Sequence, residues 1–324
     1  MSGSTLLRRR GAVDHFQHEA MVYRGTEGFL DGVLPFIEEG VRARQPQLVA
    51  VDAEKIDRIQ AALGGAEGVR FVDMRAIGGN PARIIPVWRG FVADSSLGSR
   101  PFRGIGEPVW PGRNAAEMVE CHLHEKLLNL AFAHGPTWSL MCPYDASSLD
   151  PDVIDEAGRT HPFVVRGGVR RSSRSYPGVD RVADGFDDPF PEPAGPVVKV
   201  VPFEGGDLTA IRRFVSEQAS LTGLGEDRAG DVVLATNELA TNSLRYGGGS
   251  GTLRLWTQEG SLICEVLDGG YIGDPLVGRR APDIHQLGGR GLWLVNQLCD
   301  LVQIRSLDRG VVVRFHMRVE DPPA

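Results

Sequence analysis

Between residues 20 and 165 short apolar runs alternate with segments of helical length, and this alternation constrains the fold more than any other feature of the chain. The helix-like stretch 26-TEGFLDGVLPFIEEGVRAR-44 leads into 47-QLVAVD-52, and 53-AEKIDRIQAAL-63 leads into 69-VRFVD-73. Likewise 80-NPARIIPVWRGFVADSS-96 leads into 102-FRGIGEPVW-110, and 114-NAAEMVECHLHEKLLNLAFA-133 into 137-TWSLMCPYD-145. A parallel strand is reached by a crossover that lays a helix over the sheet, so strands of this kind are buried on both faces and read as continuous apolar runs. The expectation is a three-layer, mainly parallel α/β domain over residues 12–165.

The pattern then breaks. Residues 171-RSSRSYPGVDRVADGFDDPFPEPAGP-196 are rich in Pro, Gly, Ser and Asp and have no sustained period, so 166–196 reads as a linker. Beyond it, over 197–319, the order changes: a strand at 197–203, two adjacent helices near 207–222 and 226–246, strands at 251–258, 261–268 and 300–306 with 311–319 paired to the last, and a helix at 289–299. Helices gathered on one face of a mixed sheet make a two-layer α/β sandwich.

Composition removes several classes of function. The 35 basic and 42 acidic residues give a net charge of -7, which argues against a non-specific nucleic-acid binder. No run approaches the ~18 apolar residues of a membrane span and no apolar segment follows the N-terminal arginines, so a cytoplasmic protein without a membrane partner is expected. Cys121, Cys142, Cys264 and Cys299 are scattered without a CxxC pair and read as reduced thiols. The three lysines, Lys55, Lys126 and Lys199, never follow a glycine, which rules out a Walker A loop in the parallel domain.

Three segments of the second domain carry chemistry. In 235-ATNELATNSLRYGGG-249, Glu238 and Asn242 are four apart and share a helix face. They offer a carboxylate that can orient or deprotonate a hydroxyl and an amide oxygen that can ligate Mg2+, although caps or a satisfied core hydrogen bond would explain them equally. In 265-EVLDGG-270 a strand ends on Asp268 beside Gly269 and Gly270: the carboxylate can accept from an exocyclic amine and glycine admits a flat ring, while the segment alone would be a turn. In 287-LGGRGLWLVNQLCD-300, Gly288, Gly289, Arg290 and Gly291 open an apolar helix, where free N–H groups cradle anions.

In this order and spacing the three segments resemble the Bergerat-type ATP-binding fold shared by gyrase, Hsp90, histidine kinases and the anti-sigma-factor serine kinases. The resemblance implies that Asn242 holds Mg2+ on the ATP phosphates and that Asp268, with Gly270, reads the adenine amine. It further implies that the 288–291 turn, continuing into Leu292, wraps the phosphates, and that Glu238 is the base or water-orienting group. Arg279 and Arg280, on the segment 273-GDPLVGRRAPDIHQ-286, are either phosphate-approaching lid residues or part of a solvated loop. Within the group the chain is most similar to the anti-sigma regulatory kinases of the RsbW type, which implies an alternative sigma factor and a STAS anti-anti-sigma protein as partners, and a possible homodimer. Tyr246 stands where that motif often ends in His, and DGGYIG departs from the fuller DxGxG.

The first domain resembles the MEDS sensory domain on 15-HFQHEAMVYRGTEGFLDGVLPFIEEGVRARQPQLVA-50, 104-GIGEPVW-110 and 139-SLMCPYDASSL-149 with His161-Pro162. That family looks like a degenerate relative of RecA/KaiC-type ATPases and implies a small-molecule input. Ligands of parallel sheets gather at the carboxyl ends of the strands, which makes Glu107, Trp110 and Tyr144 pocket candidates, with packing as the alternative. Cys121, His122 and Glu125, with His124 on another side of the helix and Cys142 able to come near, offer candidate metal ligands, but helical metal sites use i and i+4 histidine pairs, which 122 and 124 are not. Cys121 is therefore expected in the core, with the histidines at the surface or hydrogen-bonded.

The sequence thus predicts a sensor controlling an ATP- and Mg2+-dependent protein serine/threonine kinase and anti-sigma factor. The alternatives are an ATP-gated binding module without turnover and an atypical histidine kinase; the linker 166–196 has no His and no room for the long helical hairpin that the latter needs.

Overall fold

A computed structural model describes residues 16–65, 67–96, 100–181, 186–193, 199–282 and 289–319. Gly288, His15, the distal part of the 273–286 segment and parts of the linker lie outside the described residues. The first unit runs β1 (Phe16–Tyr23), α1 (Gly25–Arg42), β2 (Gln47–Val51), α2 (Ala53–Leu63), β3 (Val69–Asp73), α3 (Met74–Gly78), α4 (Ile84–Ser95), β4 (Phe102–Gly106), α5 (Ala115–Ala131), β5 (Trp138–Asp145), α6 (Pro151–Thr160), β6 (Phe163–Arg166) and β7 (Val169–Ser172). Its seven strands lie in the order β3-β2-β4-β5-β1-β6-β7, all parallel except the β6–β7 hairpin.

Side chains alternate across the sheet and build a core on each face. Leu48 and Ala50 of β2 join Ile84, Trp88 and Leu127 on one side. Val49 and Val51 join Phe29, Val33 and Ile59 on the other. Two features escape the periodicity reading. Strand β1 lies in the middle of the sheet, between β5 and β6, but His18 and Glu19 interrupt its apolar run. The sheet also continues through β7 to Ser172, beyond the expected boundary at 165, because the hairpin extends its edge.

The second unit comprises β8 (Lys199–Glu204), α7 (Leu208–Ser220), α8 (Glu226–Tyr246), β9 (Ser250–Gln258), β10 (Ser261–Asp268), α9 (Arg290–Leu298), β11 (Leu301–Leu307) and β12 (Gly310–Arg318). Its sheet order is β11-β12-β10-β9-β8, and every pairing is antiparallel rather than mixed. The reason is topological: the crossover through α9 carries the chain past one position, and β12 folds back from β11 to fill it. Helix α8 packs on the sheet through Val232, Ala235, Thr236, Leu239, Ala240 and Ser243, a stripe with three- and four-residue spacing.

His316 of β12 is half-buried against Gln303, its Nε2 3.2 Å from Oε1. Burial, and then the neighbouring Arg314 charge, push its pKa from 6.5 down to about 4. The unfolded chain therefore binds the proton first, so this contribution to stability is complete above pH 6.5 and is lost as the pH falls towards 4. Urea midpoints measured between pH 7.5 and 4 should fall less steeply in His316→Gln than in the parent; identical slopes would refute this.

Candidate functional site

The floor of the site is α8. Its apolar stripe faces the sheet, which leaves Glu238 and Asn242, one turn apart, half-buried on the flank that meets the start of α9. Gly289 caps α9 in the left-handed region at φ 81°, a conformation that glycine reaches without strain. Gly291, one turn-step inside, abuts both polar residues: a Cβ built there would lie 2.9 Å from Glu238 Oε2 and 3.3 Å from Asn242 Nδ2. Arg290 is the first residue of α9 and is exposed, and Leu292 packs into the core of the second unit.

Opposite them, at the end of β10, Asp268 is held by both oxygens. The Ser243 hydroxyl donates to Oδ2 at 2.6 Å and the Gly270 N–H donates to Oδ1 at 2.8 Å. Leu239, Asn242, Asp268, Gly270, Gly289, Gly291 and Leu292 line one cleft of about 290 Å3, which Val266, Val311 and Val313 complete with apolar wall and Tyr246 and Tyr271 with an exposed rim. The three segments singled out in the sequence therefore converge: a fixed carboxylate at one end, a polar helix face and a glycine-rich helix start at the other, and a flat apolar slot between. Such a cleft can take a planar heterocycle with an amine at Asp268 and present backbone N–H groups to an anion.

Residues 201–317 match the family model of the histidine kinase-like ATPase domain, and residues 17–162 match that of MEDS, the methanogen/methylotroph, DcmR sensory domain. The chain is a MEDS sensory domain fused to a histidine kinase-like ATPase domain. No curated protein matches it. The ATPase domain implies ATP binding, and the fusion makes the protein a signal-transduction regulator with a kinase-like module. No described helix is long and apolar enough to cross a membrane.

The MEDS domain contacts the second domain away from the cleft lining, through Glu120 and Arg83. Arg279 does not point towards a phosphate site: it is buried between the domains, where its guanidinium donates to Glu120 Oε2 of α5 at 3.1 Å. Arg305 of β11 donates to Glu120 Oε1 at 2.9 Å. Arg280 is exposed and pairs with Asp274 at 3.0 Å. Leu276, three residues before Arg279, is buried in the MEDS core beside that sheet. At the far end of α9, Arg83 of the MEDS domain donates to the carbonyls of Asn296 (2.7 Å), Gln297 (2.7 Å) and Cys299 (2.8 Å), satisfying acceptors that a helix terminus leaves open. Sequence spacing gave no signal for these contacts, since the partners are 159 to 216 residues apart.

The three pocket candidates of the MEDS domain are each engaged separately. Glu107 accepts from the Tyr23 hydroxyl at 2.7 Å and from Lys55 Nζ at 2.6 Å. Burial raises its pKa, with the Lys55 charge opposing, and burial followed by the Glu107 charge raises that of Tyr23. Trp110 lies beneath Arg113, 3.5 Å from the ring centroid, with Arg75 at 4.9 Å. Tyr144 is buried with its ring edge-on to His161, centroids 5.7 Å apart. Tyr23→Phe should lower unfolding free energy by about 2 kcal/mol, because a buried charged acceptor loses a donor; a change below ~0.5 kcal/mol in urea melts would show that Lys55 alone suffices.

Of the metal candidates on α5, Cys121 is in the core as expected, its Sγ 3.5 Å from the Pro108 carbonyl. His124 is neither at the surface nor hydrogen-bonded: it is buried with both ring nitrogens unpartnered, because it faces the domain interior rather than solvent.

Proposed function

We propose that the chain is a sensor-controlled protein serine/threonine kinase that also sequesters an alternative sigma factor, with a STAS anti-anti-sigma protein as phosphoacceptor. The observation that carries this reading is the convergence of Asp268, Asn242 and Gly291 on one cleft, with the Glu238 carboxylate behind its lining, against Gly291. In it Asp268 selects the adenine amine, Asn242 places Mg2+ on the phosphates, and the N–H groups at the start of α9 hold the phosphate oxygens. Glu238 orients the incoming hydroxyl. Catalysis then needs only alignment and charge neutralisation around the transferred phosphoryl group.

A histidine kinase would carry its acceptor His on a long helical hairpin next to the ATPase domain. Among the described residues between the two sheets there is instead the Val179–Arg181 turn and extended chain, which favours transfer to a separate protein. In this reading the ligand state of the MEDS domain reaches the cleft through Glu120, Arg279 and Arg83.

Phosphotransfer from γ-labelled ATP into a lysate of the host organism tests the reading. Acid-stable, alkali-labile label on a small separate protein is expected. Acid-labile label on the chain itself would replace the proposal by histidine autophosphorylation. Retained Mg-ATP binding without label would leave an ATP-gated binding module.

A further inference from the structure

Strand β1 places His18 in the middle of the first sheet. Its neighbour β5 pairs Ala20 with Cys142, so His18 and Cys142 project from the same face, two positions apart along adjoining strands. On the other flank β6 pairs Phe163 with Glu19, which brings His161, at the end of α6, alongside. Helix α5 crosses above and lowers Glu125 onto the group. All four side chains are buried from solvent.

We infer that His18, Glu125, Cys142 and His161 form a closed four-ligand site for a divalent transition-metal ion of the zinc class. The separations are the first support. His18 Nε2 and His161 Nε2 lie 3.2 and 3.4 Å from Glu125 Oε2. Cys142 Sγ lies 3.4 Å from His18 Nε2 and 3.5 Å from Glu125 Oε2. A tetrahedral zinc ion, with bonds of about 2.0–2.1 Å to nitrogen and oxygen and about 2.3 Å to sulfur, spaces its ligand atoms by about 3.3–3.6 Å.

The second support is the tautomer of each ring. Asn129 Nδ2 donates to the carbonyls of Thr160 (2.8 Å) and Glu125 (3.1 Å), so its Oδ1 is the atom that faces His18 Nδ1 at 3.2 Å. An amide oxygen only accepts, hence His18 Nδ1 carries the proton and Nε2 turns a lone pair inward. His161 Nδ1 lies 2.8 Å from the Thr160 hydroxyl and 2.9 Å from the Ala157 carbonyl; the carbonyl only accepts, so Nδ1 carries the proton and Nε2 is likewise unprotonated, and Nε2 and Glu125 Oε1 have no hydrogen-bond partner. Two lone pairs, a carboxylate and a sulfur thus converge in a buried pocket, with the Nδ1 of each imidazole already committed to an oxygen. This is the outer-shell arrangement that orients imidazole ligands on metals. One divalent ion satisfies all four groups, the thiol proton leaving to solvent as the sulfur binds. With four protein ligands and no open position the ion is structural rather than catalytic. The inference is independent of the kinase reading.

Metal analysis of the purified full-length protein is expected to find zinc in a one-to-one ratio. After chelation, Co2+ should give the intense visible bands of a four-coordinate ion and a near-ultraviolet sulfur-to-cobalt charge-transfer band. Cys142→Ser should abolish that band while Cys121→Ser, a buried thiol outside the group, keeps it. Asn129→Ala, which retains every ligand, should weaken zinc binding about 10- to 100-fold. Folded wild-type protein that takes up Co2+ without a charge-transfer band, or a band that follows Cys121, would overturn the site. So would zinc affinity unchanged in a folded Asn129→Ala variant.

Discussion

Replacing Glu120 with alanine is expected to lower the unfolding free energy by about 3–5 kcal/mol, the usual cost of leaving a buried charge without its partner. Here one carboxylate serves two guanidiniums, Arg279 from the segment ahead of α9 and Arg305 from β11, and all three groups are buried. Burial lowers the pKa of Arg279, with the Glu120 charge opposing, so the pair is held against a desolvation cost that alanine leaves uncompensated. Arg305 keeps its bond to the Ile304 carbonyl at 2.8 Å and its place over Phe190, so the greater disturbance falls on Arg279 and the chain that carries it. Urea unfolding read separately from tryptophan fluorescence and from ATP-site protection should show two transitions in Glu120→Ala where the parent shows one. A loss below ~1 kcal/mol with a single transition would mean that Leu276 and Arg83, not the ion triad, hold the domains together.

Asp268→Ala is expected to weaken ATP at least 100-fold, about 2.7 kcal/mol, and to erase the preference of ATP over GTP. The carboxylate is fixed by Ser243 and Gly270, so it meets a nucleobase without first being ordered, and a 6-oxo group in place of the amine would set oxygen against oxygen. Titration calorimetry with both nucleotides, on protein whose thermal transition is intact, measures the two effects together. Equal affinity for ATP in parent and variant would remove Asp268 from the recognition site. Retained preference at reduced affinity would instead mark a general loosening of the cleft.

The cleft of the second domain was legible because its residues come in contiguous groups. Helix α8 advertises Glu238 and Asn242 as polarity on an otherwise apolar helix, and Asp268 and Gly291 sit in short segments whose order survives in the chain. The parallel sheet was legible for the same reason, strand by strand, except where function entered it. Strand β1 was missed because His18 and Glu19 break its apolar run, and His18 is one of the four groups that the fold gathers. The sequence offers Glu125 and Cys142 as ligands beside Cys121 and His122, but His18 and His161 are brought to them only by the register of β1 against β5 and β6, which no spacing along the chain encodes. Arg279 was equally opaque, since its direction is decided by a carboxylate 159 residues earlier.

Helix α9 joins the two halves of the molecule end to end. Nine residues make a rod of about 13 Å, with the glycine start at the cleft and the carbonyl end in the grip of Arg83. A rod moves as one piece, so a tilt of the MEDS domain large enough to shift Arg83 is delivered at Gly291 without any rearrangement of the sheet between them. The traffic runs both ways. In the proposed reading, whatever factor an effector imposes on ATP affinity, ATP must impose on the effector, so the cell's nucleotide charge would be a second input to the sensor.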